Sequence, residues 1–176
     1  MNPQNRTIII TGAVQSLGLC LAETFAHCGA KIVLIDLPQS ELAKAVDVCQ
    51  ASSSDVRYTA TDVSNESHLE TVFTQIQTDF GSVDVLINEA GIIRDGLLVK
   101  SKNGIVKKKM SLQQGQSVID VNFDGVFLCG CEATVEMIEN QSADVIINIS
   151  SISKAGNMGQ SNYTSAKSAV TDVAVT

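Results

Sequence analysis

"TIIITGAVQSLGLCLAETFAHCGAKIVLID", residues 7–36, decides the fold. It opens on a β-branched apolar run, Thr7 to Thr11, and passes through a glycine-containing turn, Thr11 to Gly18. An apolar helical pattern follows, then a second apolar run from Lys31 to Asp36. Strand, turn, helix and strand in this order make the unit of a parallel sheet with right-handed crossovers. The turn is also a phosphate site, because a helix N-terminus offers unpaired N–H groups and the positive end of a dipole. Gly12 and Gly18 permit the tight turn and the close approach of helix to strand. Asp36 stands 24 residues beyond Gly12, near the spacing of a carboxylate that accepts from a ribose 2′-hydroxyl. It would repel a 2′-phosphate, and neither Gln15 nor Leu37 supplies a compensating cation. NAD is therefore expected in preference to NADP, with NADP still possible.

The rest of the chain repeats the alternation. Further strands are expected over 56–62, 83–88 and 144–150, all as runs covered on both faces of the sheet. Between them, Leu69, Val72, Phe73, Ile76 and Phe80 recur at helical steps, with Gly81 at the place of a C-cap. A long helix is expected from Ser111 to Asn140, opened by a capping box of Ser111 with Gln114. The fold class that follows is α/β, a Rossmann-like doubly wound parallel sheet with helices on both faces. The whole of 1–176 reads as one dinucleotide-binding domain. The stretch 94–110 breaks the rhythm, and Asn103-Gly104 marks it as a hairpin-like insertion.

Charge narrows the partners. A net charge of −7 argues against nucleic acid and against an anionic membrane surface. The local exception, Lys107 to Lys109, reads as a solvated loop, with docking of an acidic partner as the minority reading. Cys20, Cys28, Cys49, Cys129 and Cys131 fit no zinc or CxxC spacing and read as small core residues in a reducing compartment. No metal is expected. No leader and no long apolar span is visible, so the expected location is the cytoplasm.

The chemistry is carried by "SNYTSAK", residues 161–167, where Tyr163 and Lys167 stand one helical turn apart. A phenol titrates near about pH 10, and a buried ammonium beside it favours the phenolate. Alone, such a pair would be a helix cap and a solvated charge. Here a strand ending in Ser150 and Ser151 precedes it, and a serine hydroxyl can polarise a carbonyl that Tyr163 protonates. Strand register selects Ser151, whereas counting back from Tyr163 selects Ser150; Ser151 is favoured because register is harder to shift than loop length.

Taken together, "TGAVQSLG", "DV" (62–63), "NEAG" (88–91), "VNFDG" (121–125), "INISS" and "YTSAK" resemble the ordered motifs of the short-chain dehydrogenases/reductases. "GIIRDGLL" and "GNMGQSNY" resemble the 3-oxoacyl-(acyl-carrier-protein) reductase-like members. The resemblance implies hydride transfer between nicotinamide and a carbonyl or secondary alcohol. It implies a catalytic set of Asn122, Ser151 (or Ser150), Tyr163 and Lys167, with Asn122 holding a water that relays protons to the lysine. For the cofactor it implies Gly12, Gln15, Ser16, Leu17, Gly18, Asp36, Leu37, Asp62, Val63, Asn88, Ala90 and Gly91, together with Tyr163 and Lys167. Partners implied are a small-molecule or acyl-thioester substrate, acyl carrier protein, and further copies of the chain in a homo-oligomer. Two positions depart from the family pattern: Ser16 replaces a glycine of the turn, and Glu89 replaces the second asparagine of NNAG.

Family members continue past the YxxxK helix into further strands and a substrate-covering loop. The chain is thus expected to be a C-terminally truncated form that keeps nucleotide affinity, lacks turnover of 3-oxoacyl thioesters and self-associates through a strand left at the sheet edge and the long 111–140 helix. The other readings are a nucleotide-binding or interaction module without turnover, and a flavodoxin-like binder. The last leaves the tyrosine, lysine and serines unexplained.

Overall fold

The computed structural model describes residues 2–39, 41–52, 55–141 and 145–173. Five strands form one parallel sheet: β1 (Thr7–Thr11), β2 (Lys31–Asp36), β3 (Val56–Ala60), β4 (Val85–Asn88) and β7 (Val145–Asn148), in the order β3-β2-β1-β4-β7. The register pairs Ile8 with both Ile32 and Val85, and Val85 in turn with Val145. Side chains alternate across the sheet, so successive residues of each central strand enter different cores. Ile8, Ile10, Ile32, Leu34, Val85 and Ile87 pack on one face with Ala22 and Ala26 of α1 (Ser16–His27) and Ala45 and Cys49 of α2 (Leu42–Gln50). Ile9, Val33, Ile35 and Leu86 pack on the other. They meet Leu69, Phe73 and Ile76 of α3 (Glu66–Phe80) and Cys129, Ala133 and Met137 of α5 (Gly125–Glu139). This is the doubly wound arrangement expected from the sequence. Phe73 and Leu86 are completely buried, and truncating such side chains to Ala ordinarily costs about 2–5 kcal/mol.

The start of β1 is pinned by Asp84, whose buried carboxylate accepts from the Thr7 N–H at 2.8 Å, from the Ser82 hydroxyl and from the Arg6 guanidinium. At the C-terminus of α3, Gly81 takes a φ of +77° and closes the helix on the Gln77 carbonyl.

Several sequence expectations need correcting. β3 stops at Ala60 rather than Asp62, because Asp62 folds its carboxylate onto the N–H and hydroxyl of Ser64, and this turn ends the strand. β4 begins at Val85, two residues late; the expected last strand ends at Asn148, two residues early, and its residue 144 lies outside the described residues. Cover on both faces holds for β1, β2 and β4 but not for the edges: Tyr58, Val145 and Ile147 are exposed. The expected long helix is α4 (Leu112–Ile119), a π turn (Asp120–Asp124) and α5 in series. Ser111 caps α4 by accepting from the Gln114 N–H, but the Gln114 amide reaches away to the carbonyls of Arg94 and Asp95, so the capping box is half made. Cys49 and Cys129 are core residues, whereas Cys20 and Cys131 are exposed on the outer faces of α1 and α5 and Cys28 is exposed at the C-cap of α1. Burial pushes the two core thiols up, Cys49 to about 11 and Cys129 to about 12, with Glu23 and Glu132 respectively adding to the effect.

Between β4 and α4, β5 (Val99–Lys102) and β6 (Ile105–Lys109) pair as an antiparallel hairpin. Asn103 and Gly104 both take positive φ, as a two-residue turn of the twisted kind requires. Lys107 to Lys109 therefore lie on an exposed strand, not in a loop. A bridge between Gly96 and Gln160 sets the base of the hairpin beside α6 (Ser161–Ala169).

Candidate active site

The carboxyl ends of β1, β2, β3 and β4 surround a cavity of about 360 Å³. Thr11 ties two of them together: its hydroxyl oxygen accepts from the N–H groups of Glu89 and Ala90, both at 3.1 Å. Gly12 follows with a φ of +68°, and a side chain there would come within 2.8 Å of the Ala90 backbone. A Cβ on Gly18 would stand 2.3 Å from the Gly12 carbonyl oxygen, so α1 rests directly on the turn. The cap position of α1, Gln15, makes no side-chain capping bond, and the first turn carries no acid. Its N–H groups are thus left to a ligand or to water. Asp36 is held at the cavity wall by the N–H groups of Val14, at 3.2 Å, and Leu37, at 2.8 Å.

Gly12, Gln15, Ser16, Asp36, Leu37, Asp62, Val63, Ala90 and Gly91 line this cavity. Leu17, Gly18, Asn88, Tyr163 and Lys167 do not: Leu17 is exposed, Gly18 supports the turn, Asn88 is buried and donates to the Asn148 side chain, and Tyr163 and Lys167 stand on α6 outside the lining. The glycine cradle, the uncapped helix end and the Asp36 carboxylate fit a dinucleotide.

Ser16 sits in this turn with a φ of +48°, the left-handed region that costs an L-residue about 1–2 kcal/mol. Ser16→Gly is expected to relieve that strain. Glycine's extra unfolded-state freedom offsets part of the gain, leaving a rise in Tm of about 2–4 °C. A thermal melt that shows no rise removes the argument for strain.

The second half of the site is built on α6. Lys167 lies 6.0 Å from the centre of the Tyr163 ring and is only 4% exposed. Its Nζ donates to the Ile149 carbonyl at 2.7 Å and forms no ion pair with any described residue. Burial pushes its pKa down, and the negative charge of Glu89 partly opposes this. Ser150 donates its hydroxyl to the Lys167 carbonyl at 2.6 Å, so its proton is spent on α6. Ser151 instead accepts from the Ser153 N–H at 3.1 Å, capping the short 3-10 turn Ile152–Ala155 and leaving its own proton unengaged by the described residues. Asn122 is fully buried in the π turn and exchanges two hydrogen bonds with Ile92, accepting from its N–H at 2.7 Å and donating to its carbonyl at 3.0 Å. A π turn inside an α-helix recurs at functional sites. Here it places Asn122 against the loop that borders the cavity.

Residues 6–176 match the description of the short chain dehydrogenase family. The chain belongs to that family. It is 33% identical over 170 residues to a (2S)-[(R)-hydroxy(phenyl)methyl]succinyl-CoA dehydrogenase subunit of Thauera aromatica, covering 97% of this chain and 64% of the relative. It is 34% identical over 167 residues to a 3-oxoacyl-[acyl-carrier-protein] reductase of Staphylococcus aureus, covering 94% and 64%. The reductase of the same name from Escherichia coli is 29% identical over 167 residues, covering 95% and 64%. The chain thus spans 64% of the length of each of these three relatives.

Sequence motifs alone miss several residues that shape this short chain dehydrogenase site. Ile35, Thr61, Ile92, Arg94 and Val121 also line the cavity, none of them among the expected cofactor residues. Asn162 is buried beside Tyr163; its amide donates to the Arg94 carbonyl at 3.0 Å and its oxygen accepts from the Tyr163 N–H, which locks α6 to the cavity rim. Its place next to Tyr163 is the one available signal. Glu89, flagged as a departure from the family, proves to line the cavity itself. Among the described residues, no group of three or more His, Cys, Asp or Glu is placed to hold a metal ion, and no helix is long and apolar enough to cross a membrane.

Proposed function

We propose that this protein is an NAD(H)-dependent oxidoreductase that acts on a carbonyl or secondary alcohol, with 3-oxoacyl thioesters as its substrate class. The observation that carries the proposal is Lys167: a buried ammonium in no ion pair with a described residue, one turn from a tyrosine and coupled in charge to Glu89 of the cavity lining. The nicotinamide, when bound, supplies or accepts the hydride. In the reducing direction the Ser151 hydroxyl donates to the substrate carbonyl oxygen, and Tyr163 gives its proton to the alkoxide as it forms. Lys167 then stabilises the phenolate left behind, while its bond to Ile149 fixes the ammonium in place. Asn122 and Asn162 hold the surrounding loop, and so the angle at which these groups meet substrate.

The thioester class rests on the Staphylococcus aureus and Thauera aromatica relatives, a 3-oxoacyl-[acyl-carrier-protein] reductase and a succinyl-CoA-derivative dehydrogenase subunit. An acyl carrier protein fits as an acidic partner for the hairpin, where Lys100, Lys102, Lys107, Lys108 and Lys109 are all exposed. Exposed Phe127, Val135 and Ile138 on α5 support self-association. Unpaired thiols support the cytoplasm as the compartment. Loss of reduced-nicotinamide absorbance on adding a 3-oxoacyl thioester, but not the free 3-oxo acid, tests the substrate class; equal rates with both would reject it.

Cofactor choice is separately testable. Asp36 lines the cavity and, among the described residues, no cation bonds to it, so a 2′-phosphate beside it meets the repulsion of its carboxylate. NADH is expected to bind at least about tenfold more tightly than NADPH, the effect of about 1.4 kcal/mol. Asp36→Ala is expected to narrow the gap. Fluorescence titration of both cofactors decides, and equal or reversed affinity overturns the preference.

A further inference from the structure

Glu89 is the acidic residue that the proposed chemistry does not use. It follows β4, and its N–H is held by Thr11. Its carboxylate reaches over the turn: Oε2 lies 2.6 Å from where a Cβ on Gly12 would stand. It is half-buried, and it accepts no hydrogen bond from any described residue. A carboxylate in that position is desolvated with no compensating hydrogen bond from a described residue.

Its charged surroundings are unbalanced. Asp36 at the end of β2 and Asp62 after β3 line the same cavity, against one lining cation, Arg94, on the loop beyond β4. From α6, Lys167 faces it, with Tyr163 on the same helix one turn earlier. A dinucleotide adds a diphosphate with two negative charges to this set. The turn that would receive the diphosphate is the one Glu89 covers.

We propose that Glu89 is a determinant of ligand charge at this site: a dinucleotide binds to the form in which this carboxyl is protonated, so that binding takes up a proton. The inference rests on the reading of the cavity as a dinucleotide site. Burial raises the Glu89 pKa to about 7, with Lys167 lowering it and Asp36 raising it further. The free protein therefore holds a mixture of both forms near neutrality, and a bound anion shifts the balance toward the protonated one. The sign follows. Affinity is highest and flat below the free-protein pKa, and above it falls by up to about tenfold per pH unit until the pKa of the complex is reached.

The test is calorimetric titration of NADH between pH 5.5 and 9 (about half-unit steps), in two buffers of different ionisation enthalpy. Wild type is expected to take up a fraction of a proton at about pH 7 and close to one at about pH 8. Glu89→Gln keeps the shape and removes the charge, so it is expected to abolish the proton uptake and to bind NADH about tenfold more tightly at about pH 8. Adenosine, which carries no diphosphate, should show no such pH slope. NADH binding without proton uptake overturns the inference and leaves the dinucleotide reading standing. A slope that survives in Glu89→Gln belongs to Lys167 and overturns the assignment to Glu89. Failure of both proteins to bind NADH at any pH overturns the dinucleotide reading itself. If Glu89→Gln does not fold, proton uptake by wild type together with Glu89→Asn decides the matter.

Discussion

Tyr163→Phe is expected to lower turnover of the active protein by about 10²–10⁴-fold, the range that one positioned proton donor contributes. The phenol hydroxyl has no hydrogen-bond partner among the described residues, so its removal takes away no structural contact. Folding stability should therefore move by less than about 0.5 kcal/mol. NADH affinity should also stay close to wild type, since Tyr163 does not line the cavity. The expected result is thus a fall in kcat with the melt and the cofactor titration unchanged. Retention of a tenth or more of the wild-type rate would place the proton donor elsewhere. Loss of turnover together with a collapsed melt would show that the ring hydroxyl holds α6 in place, contrary to the geometry. Lys167→Met separates the second member of the pair. It removes the buried ammonium and leaves the Ile149 carbonyl without its donor, so it should lose both turnover and stability.

What the sequence made legible was what short-range pattern encodes. The run from Thr7 to Asp36 predicts strand, glycine turn, helix and strand because each of these is set by neighbours a few positions apart. Tyr163 and Lys167 share a face because a helical turn puts them there. Gly81 closes α3 for a local reason, its access to positive φ. What stayed hidden depends on chain segments that are far apart. That β3 and β7 are half-exposed follows from their place at the sheet margins, and apolar content does not reveal it, since Ile147 at an edge reads the same as Ile87 at the centre. The π turn at Asp120–Asp124 leaves no mark in the periodicity, yet Asn122 and Ile92, thirty positions apart, are brought together there. Asn162 is joined to the Arg94 carbonyl, 68 residues away, and no spacing announces such a bond. Glu89 was visible as an odd residue in a motif, but its meaning depends on Gly12, Asp36 and Lys167 all facing it.

The serine pair gives the sharpest test of the chemical half, because two adjacent hydroxyls of one residue type differ only in where their protons go. Ser150 spends its proton on the Lys167 carbonyl, linking the segment after β7 to α6. Ser150→Ala should therefore act mainly on stability, at about 1 kcal/mol for one lost hydrogen bond, with turnover falling no more than a few fold. Ser151 accepts from Ser153 and keeps its proton available. Ser151→Ala should lower kcat by about 10²–10³-fold, as loss of one donor to a developing oxyanion does elsewhere. It also removes the cap of the 3-10 turn, which costs about 1 kcal/mol. The two variants are then matched in stability loss and separated in rate, so a melt and a steady-state assay on the same samples isolate the chemical contribution. Ser151→Thr, which keeps a hydroxyl at the same position, should restore part of the rate. The opposite ranking, with Ser150→Ala the slower enzyme, would mean that the Ser150–Lys167 bond opens when substrate arrives and that counting back from Tyr163, rather than strand register, locates the donor.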